Sequence, residues 1–215
     1  MEITYLGHAS FKIKAKDMVI VTDPYDSEEV GLKFPAHVTA QIVTLSHDHF
    51  DHSRIKAIEG TPLVLTNPGD YESGGCDVVG FLTYHDAKQG SERGSNTVFK
   101  ITVEGLTIVH LGDIGHVLSE ELIEEIGDVD ILMVPVGGTY TVDARGAKEI
   151  ISQIEPKITI PMHYQVPELV DSLKNNLAPL SQFLKEIGKE GVEPQDKLVV
   201  KVGSLPEEPQ IVVLK

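Results

Sequence analysis

Short runs of hydrophobic, β-prone residues, separated by polar turn-forming residues, dominate the first half of the chain. Runs of this kind, bounded by residues that favour turns, predict β-strands. We expect a hairpin over residues 97–111 that turns at Glu104–Gly105. Further strands are expected at ITYL (3–6), FKIKA (11–15), MVIVT (18–22), QIVTLS (41–46), LVLT (63–66) and VVGFLTY (78–84).

Helical spacing begins in the second half and alternates with strands. Residues 119–127 predict a helix with Ser119 as N-cap and Gly127 just beyond its end, and 144–154 predict another capped by Asp143. Residues 167–188 predict a third helix, broken or bent near Pro179. The predicted strands of this half are 130–136, 157–164, 197–203 and 210–215. This order predicts one α/β domain over residues 1–215, with helices packed outside the sheets.

Composition and charge narrow the classes of function. The chain has 215 residues, of which 41% are hydrophobic, which is ordinary for a globular protein. Its net charge of −15 argues against binding to long nucleic acid, but it does not exclude a small substrate, including an anionic one. One cysteine, Cys76, allows no intrachain disulfide. No signal peptide or membrane span is recognisable, so we expect a cytoplasmic protein. The composition is also compatible with a homo-oligomer.

The segment LSHDHFDHS (45–53) carries the strongest chemical signal. It follows an apolar strand and places His47, His49, Asp51 and His52 within six residues. Imidazole and carboxylate are ligands for zinc, iron or manganese. Four donors this close together crowd a single ion, so the spacing indicates two adjacent metal sites. The alternatives are a polar loop that is rich in His by chance and a structural metal site, although structural zinc sites usually include Cys.

Three further donors stand at the ends of predicted strands. His85 follows 78–84, Asp113 follows the hairpin, and His163 closes the strand at 157–164. In open α/β architectures the functional crevice lies at such strand ends. We therefore expect these three residues to complete the metal site.

These residues resemble the metallo-β-lactamase superfamily, whose H-x-H-x-D-H signature matches residues 47–52. The resemblance is closest to the branch of L-ascorbate-6-phosphate lactonase-like and other metal-dependent hydrolases. The other matching segments are LGHASFKI (6–13), VTDP (21–24), YHDAKQGSERGSNTVF (84–99), HLGDIG (110–115) and PMHY (161–164). The resemblance implies a four-layer αββα sandwich with a dinuclear site at its edge.

The resemblance also implies a set of ligands for two divalent metal ions. One ion would be held by His47, His49 and His85, and the other by Asp51, His52 and His163. Asp113 would bridge the two ions. Zinc is the expected metal, with manganese, iron and nickel as alternatives. An Asp rather than a Cys at the bridging position, together with the short chain, argues against β-lactamase activity.

The expected activity is hydrolysis of an ester, lactone or phosphoester in a small substrate by metal-activated water. Asp51 is a candidate catalytic residue, because a metal ligand at this position could also accept a hydrogen bond from the water. His8, after the first strand, is a second candidate, with a capping or core role as its alternative. The alternative functions are a phosphodiesterase or nuclease with the same metals, and a metal-binding protein without turnover. A redox iron protein would usually carry an added flavin domain.

Several other polar residues allow more than one interpretation. Asp23 could orient a ligand imidazole or could only form a turn before Pro24. His110 is expected to be buried or to support a ligand, and residues 137–140 could shape a pocket. His37 and His116 are expected at the surface or in loops. The cations Arg54, Lys88 and Arg93 are interpreted mainly as surface charges, with anion binding as the alternative.

Overall fold

The computed structural model describes residues 1–215 and contains two large β-sheets. The first sheet has six strands in the spatial order β14-β1-β2-β3-β5-β7. Its strands are β1 (Glu2–Gly7), β2 (Ser10–Lys14), β3 (Val19–Thr22), β5 (Ile42–Thr44), β7 (Leu63–Leu65) and β14 (Leu198–Val199). A separate pair of short strands, β4 (Val38–Thr39) and β6 (Ile58–Glu59), lies beside it.

The second sheet has seven strands in the order β15-β13-β12-β11-β10-β9-β8. Its strands are β8 (Gly69–Ser73), β9 (Cys76–Tyr84), β10 (Ser95–Val103), β11 (Leu106–His110), β12 (Ile131–Pro135), β13 (Ile158–Met162) and β15 (Gln210–Ile211). The predicted hairpin over 97–111 is confirmed as the β10–β11 pair, in which Val103 pairs with Leu106 around the turn. Strand β8 was not predicted, because its sequence, GDYES, has few apolar residues.

Five α-helices connect or flank the strands: α1 (Ser27–Val30), α2 (Glu120–Ile126), α3 (Ala144–Ile154), α4 (Asp171–Lys174) and α5 (Leu180–Glu186). The predicted caps of α2 and α3 are confirmed, since the side chains of Ser119 and Asp143 accept hydrogen bonds from backbone N–H groups of the first turn. None of the helices is long and apolar enough to cross a membrane.

The elements predicted for the C-terminal part of the chain are partly wrong. The helix expected over 167–188 is two short helices, α4 and α5, because the chain between them is irregular and Pro179 occupies the N-cap position of α5. The strands expected at 197–203 and 210–215 shrink to two residues each. A 3-10 turn at Val202–Ser204 replaces the rest of the first, and another 3-10 turn lies at Ile55–Ala57.

Alternation along the strands sorts apolar side chains into layers. In β12, Ile131 and Met133 point into a core of 24 buried residues between the two sheets, while Leu132 faces a second core shared with α2, α3 and α5. In β3, Ile20 points into the same central core, while Val21 faces a third core shared with α1 and α4. Helices therefore cover the outer face of each sheet, and the predicted four-layer αββα arrangement is confirmed.

The strands that matter for function end at one edge of this sandwich. In the first sheet, β3, β5 and β7 are parallel, and in the second sheet β11, β12 and β13 are parallel. The pairings also make β1 parallel to β3 and β9 parallel to β11. Polar residues that follow these strands therefore meet at the carboxyl ends of both sheets, where sites of α/β proteins form.

Candidate metal centre

The first group of ligand-type side chains combines the loop after β5 with the loop after β9. It consists of His47, His49 and His85, and one ring nitrogen from each lies within 4.8 Å of the other two. His47 and His85 are buried, whereas His49 is partly exposed at the mouth of a cavity. The sequence predicted these three residues as one ligand set, and the fold brings them together from segments about 40 positions apart.

The second group lies next to the first and draws on three loops. It consists of His8, Asp51, His52 and His163, whose ligand atoms also lie within 4.8 Å of one another. Asp51 Oδ2 is 3.2 Å from Nε2 of His8 and 3.7 Å from Nε2 of His52. All four residues are buried. His8 is the member that was not predicted as a ligand.

Asp113 lies between the two groups. Its Oδ2 is 3.3 Å from Nε2 of His85, in the first group, and 3.1 Å from Nε2 of His163, in the second. Its Oδ1 is 3.3 Å from Nε2 of His52. A single carboxylate thus reaches imidazoles of both groups, which is the position that the resemblance implied for a bridging ligand.

Two neighbours hold Asp113 in this position. The buried side chain of Asn96 accepts a 2.9 Å hydrogen bond from the backbone N–H of Asp113 and donates to Leu111 O at 2.9 Å. Gly112 has φ +57°, and a Cβ atom there would lie 2.3 Å from Asn96 Oδ1 and 2.4 Å from Ser46 Cβ. Only glycine therefore lets the chain turn between β11 and the carboxylate.

The carboxylates and imidazoles of the cluster shift one another's pKa values. The pKa of Asp113 lies well below its usual value, because His163 and His52 outweigh the effect of its burial. The pKa of His52 lies well above its usual value, because Asp113 and Asp51 outweigh burial there too. Burial lowers the pKa of His47 to about 3 and that of His8 to about 4, so that both imidazoles are neutral.

Several buried polar atoms of the cluster have no hydrogen-bond partner. Nε2 of His47, Nε2 of His52 and Oδ1 of Asp113 are buried and make no hydrogen bond, as do both ring nitrogens of His163. Buried polar atoms are normally hydrogen-bonded, and buried charges are paired or bind metal. No lysine or arginine forms an ion pair with Asp51 or Asp113. The donor set therefore fits divalent cations.

Asp23 orients two of the imidazoles, which is one of the two roles predicted for it. Its Oδ2 accepts hydrogen bonds from Nδ1 of His52 at 2.9 Å and from Ser46 Oγ at 2.6 Å. Because the Ser46 hydroxyl proton is used there, Ser46 Oγ accepts from Nδ1 of His47, 2.9 Å away. Nδ1 of both rings is thereby engaged, which leaves Nε2 as the ring atom that could bind a cation.

The backbone is strained at three of these residues. The φ angles of His8, Asp23 and His163 are +57°, +39° and +53°, in the left-handed region that residues other than glycine rarely adopt. Each such residue costs on the order of 1 kcal/mol or more, and residues of this kind cluster at functional sites. Strain at three loops that converge on one cluster indicates that the positions of its side chains matter.

We expect Asp23→Asn to weaken metal binding by about 10- to 100-fold, the usual effect of losing a partner of a metal-bound imidazole. Asparagine presents an NH2 group where Asp23 Oδ2 accepts from His52 and Ser46, and an NH2 group cannot accept a hydrogen bond. The ring of His52 and, through Ser46, that of His47 therefore lose their fixed tautomer. Zinc affinity would be measured by competition with a chromophoric chelator.

Ser46→Ala provides the matched comparison for Asp23→Asn, because it removes only the link to His47 and is expected to have a smaller effect. Circular dichroism would establish that both variants are folded. Affinities equal to that of the unaltered protein would show that these hydrogen bonds do not orient the imidazoles.

A cavity of about 340 Å³ opens onto the cluster. Asp51, Asp113, His49 and His85 reach it from the metal-ligand groups. The rest of its wall consists of Phe50, Glu92, Arg93, Tyr140, Ser172 and Leu173. Tyr140 belongs to the 137–140 segment that was expected to shape a pocket, and it does line this one. Phe50 is half exposed, which is unusual for a large aromatic side chain.

Most of the remaining candidates lie outside the cluster. His110 is buried, and both of its ring nitrogens are used, one with Ala9 O at 2.8 Å and one accepting from Gly112 N. His37 is exposed and pairs with Glu59, while His116 bonds to the backbone of Tyr84 and Val117.

Of the three cations, two behave as the surface charges that the sequence predicted. Arg54 pairs with Asp26, and Lys88 pairs with Glu92. The third, Arg93, lines the cavity. Arg93 is half-buried, so both of its predicted roles, surface charge and anion binding, stay predictions.

Three residues of the site were not found from the sequence. Ser46 links Asp23 to His47, Asn96 holds Asp113, and Asp86 organises the loop that carries Arg93. Their common property is burial of a polar side chain, which depends on tertiary packing. The only local signal was that Ser46 and Asp86 stand directly beside ligand histidines.

Comparison with known proteins agrees with this fold and cluster, an αββα sandwich with His and Asp side chains gathered at one edge. Residues 2–163 match the family described as the beta-lactamase superfamily domain. A UPF0173 metal-dependent hydrolase from Carboxydothermus hydrogenoformans is 30% identical over 196 residues, covering 76% of this chain and 84% of the relative. Another from Thermoplasma acidophilum is 30% identical, over 79% of this chain and 86% of the relative.

A solved structure extends the match to nearly the whole chain. It is a Thermotoga maritima protein assigned to the Zn-dependent hydrolases of the metallo-β-lactamase superfamily. It is 38% identical, with a TM-score of 0.80, and the match covers 99% of this chain and 97% of that one. The chain belongs to the metallo-β-lactamase superfamily, and within it to the metal-dependent hydrolases.

Proposed function

We propose that the protein hydrolyses an ester, lactone or phosphoester bond of a small substrate at a dinuclear metal centre. The observation that carries this proposal is the pair of adjacent ligand groups joined by Asp113 and open to one cavity. A structural metal site would be closed, whereas a catalytic site leaves a face of the metal accessible to substrate. The single core shared by the two sheets supports one catalytic domain over residues 1–215.

Each ligand group suits one cation. His47, His49 and His85 would hold the first, Asp51, His52 and His163 would hold the second, and Asp113 would contact both. We propose zinc, since nitrogen and oxygen donors in such numbers suit it well, with manganese, iron and nickel as alternatives. When bound, two divalent cations lower the pKa of water and polarise the oxygen of the bond to be cleaved.

Asp51 is the residue best placed to handle the attacking water. Its Oδ2 is engaged by His8, and its Oδ1 makes no hydrogen bond within the chain. Asp51 also lines the cavity, so that its carboxylate can accept a hydrogen bond from water there and orient it toward the substrate. This supports the catalytic role that the sequence suggested for Asp51.

For His8 we propose a positioning role in place of the catalytic one. Its ring is fully buried and does not reach the cavity. Burial keeps it neutral, with a pKa of about 4, so that its Nε2–H donates to Asp51 Oδ2 at 3.2 Å. The ring also packs 4.1 Å, centroid to centroid, from that of His163. His8 thus holds a proposed ligand without contacting substrate.

The size of the cavity supports a small-molecule substrate. A volume of about 340 Å³ is at the lower end of the range for ligand pockets. The net charge of −15 also disfavours binding to nucleic-acid backbones. Both properties favour hydrolysis of a small molecule over cleavage of long RNA or DNA.

A panel of chromogenic substrates tests the proposal. Protein loaded with zinc or manganese would be incubated with para-nitrophenyl acetate, a thiolactone coupled to thiol detection, and bis-para-nitrophenyl phosphate. We expect turnover of the ester or the lactone that is lost on chelation and restored by metal. Turnover of the phosphodiester alone would favour the phosphodiesterase alternative. Metal uptake with no turnover of any substrate would favour the non-catalytic metal-binding alternative.

A further inference from the structure

Arg93 is the only lysine or arginine in the wall of the cavity, and it has no acidic partner. Some other cations of this acidic chain form ion pairs, as Arg54 does with Asp26 and Lys148 does with Glu186. The carboxylate of Glu92, next in sequence, is held by Lys88 at 2.6 Å. Arg93 thus keeps an uncompensated positive charge beside the metal-ligand cluster, although carboxylates outnumber cations in this protein.

The guanidinium of Arg93 is held in place. One of its N–H groups donates to the backbone oxygen of Thr139, and its Cζ atom lies 5.0 Å from the centroid of the Tyr140 ring. A guanidinium has five N–H donors, so one bond to a carbonyl leaves others available. Stacking on an aromatic ring fixes its plane and reduces the entropy lost when a ligand binds.

The loop that carries Arg93 is fixed as well. The carboxylate of Asp86 accepts four backbone hydrogen bonds, from residues 88, 90, 92 and 93, at 2.7 to 3.1 Å. Asp86 directly follows His85, a proposed metal ligand, so the arginine and the metal centre are tied to one short segment. The distance between them is thereby set by the loop rather than by a flexible side chain alone.

Part of the cavity wall is apolar. Phe50, Tyr140 and Leu173 are the hydrophobic members of a lining that also includes Glu92 and Ser172. A substrate in this cavity can contact the metal-ligand cluster, apolar surface and the cation of Arg93 together. Guanidinium groups bind carboxylate and phosphate through two parallel hydrogen bonds, which gives both affinity and orientation.

From this geometry we infer that Arg93 binds an anionic group, carboxylate or phosphate, at the end of the substrate remote from the bond to be cleaved. The inference rests on the proposed function, and it narrows the substrate class to small esters, lactones or phosphoesters that carry a second, anionic group. Arg93 thereby determines which substrates the site prefers.

Binding of matched, slowly cleaved probes tests this inference without requiring turnover. The probes are the mono-para-nitroanilide of succinic acid, its analogue with phosphonate in place of carboxylate, and the neutral para-nitroanilide of butyric acid. Dissociation constants would be measured by calorimetry on the metal-loaded protein. We expect an anionic probe to bind at least about tenfold more tightly than the neutral one, the effect of a hydrogen bond to a charged group.

Arg93→Ala should remove this preference and Arg93→Lys should restore part of it. Arg145→Ala is the matched control, because Arg145 is an exposed arginine on α3, also without an acidic partner, that does not line the cavity. The carboxylate and phosphonate probes distinguish the two kinds of anion.

A preference that survives in Arg93→Ala would show that the metals alone attract the anion, and it would overturn the inference. So would equal or absent binding of all three probes to the unaltered protein. An Arg93-dependent preference without turnover of any reporter would contradict the proposed function only. Turnover without the preference would contradict the inference only.

Discussion

The Asp113→Asn variant is expected to bind less than one equivalent of metal, against the two that we propose for the unaltered protein. Its catalytic efficiency on any reporter should fall by more than about 100-fold, since even outer partners of ligands cost up to that much. The reason is the position of the carboxylate, whose two oxygens contact His52, His85 and His163 in both ligand groups. An amide removes the negative charge and replaces one acceptor with a donor.

Asparagine has nearly the shape of aspartate, so the hydrogen bond from the backbone N–H of residue 113 to the Asn96 side chain is kept. Metal content would be measured by elemental analysis after gel filtration, and folding by circular dichroism. Asp48→Asn is the matched control: it makes the same chemical change at an exposed residue of the His-rich segment and should leave both quantities unchanged. Two equivalents of metal in Asp113→Asn would show that Asp113 does not join the two sites.

His49→Ala is expected to remove metal from the first ligand group only. His49 shares that group with His47 and His85, whereas the second group contains none of these three residues. The variant should therefore retain about one equivalent of metal and lose most activity, since a dinuclear centre uses both ions on the reacting bond. His49 is partly exposed, so its truncation leaves no large buried void.

The control for His49→Ala is His37→Ala, because His37 is exposed, pairs with Glu59 and belongs to neither ligand group. Elemental analysis and the reporter panel would be run on both variants in parallel. Full metal content together with full activity in His49→Ala would exclude His49 as a ligand. Loss of both equivalents would mean that the two sites fill cooperatively.

Local signals in the sequence predicted much of the secondary structure. Ser119 and Asp143 cap helices as predicted, because a cap depends on hydrogen bonds within one turn. The hairpin at Glu104–Gly105 is equally local. Predictions failed where packing decides the outcome, as in the interrupted helix over 167–188 and the polar edge strand β8.

For the site, the sequence revealed the donors that stand together or end a strand. It offered Asp23 as a residue that could orient a ligand imidazole, but not that the imidazole belongs to His52, 29 positions away. Nor could it reveal that His8 contacts Asp51 across 43 positions. Those contacts form only when strands of the first sheet lie side by side. The cytoplasmic location inferred from the sequence stays a prediction, as does the oligomeric state.

The sequence by itself indicated a metal-dependent protein, because the H-x-H-x-D-H segment concentrates metal-ligand side chains within six residues. The tertiary structure decided which donors lie together, which histidines lie outside the cluster, and that Arg93 lines the cavity while Arg54 does not. The physical reason is one of range. Ligand identity and spacing are properties of a short segment, whereas burial and shared contacts depend on residues that are distant in sequence and adjacent only after folding.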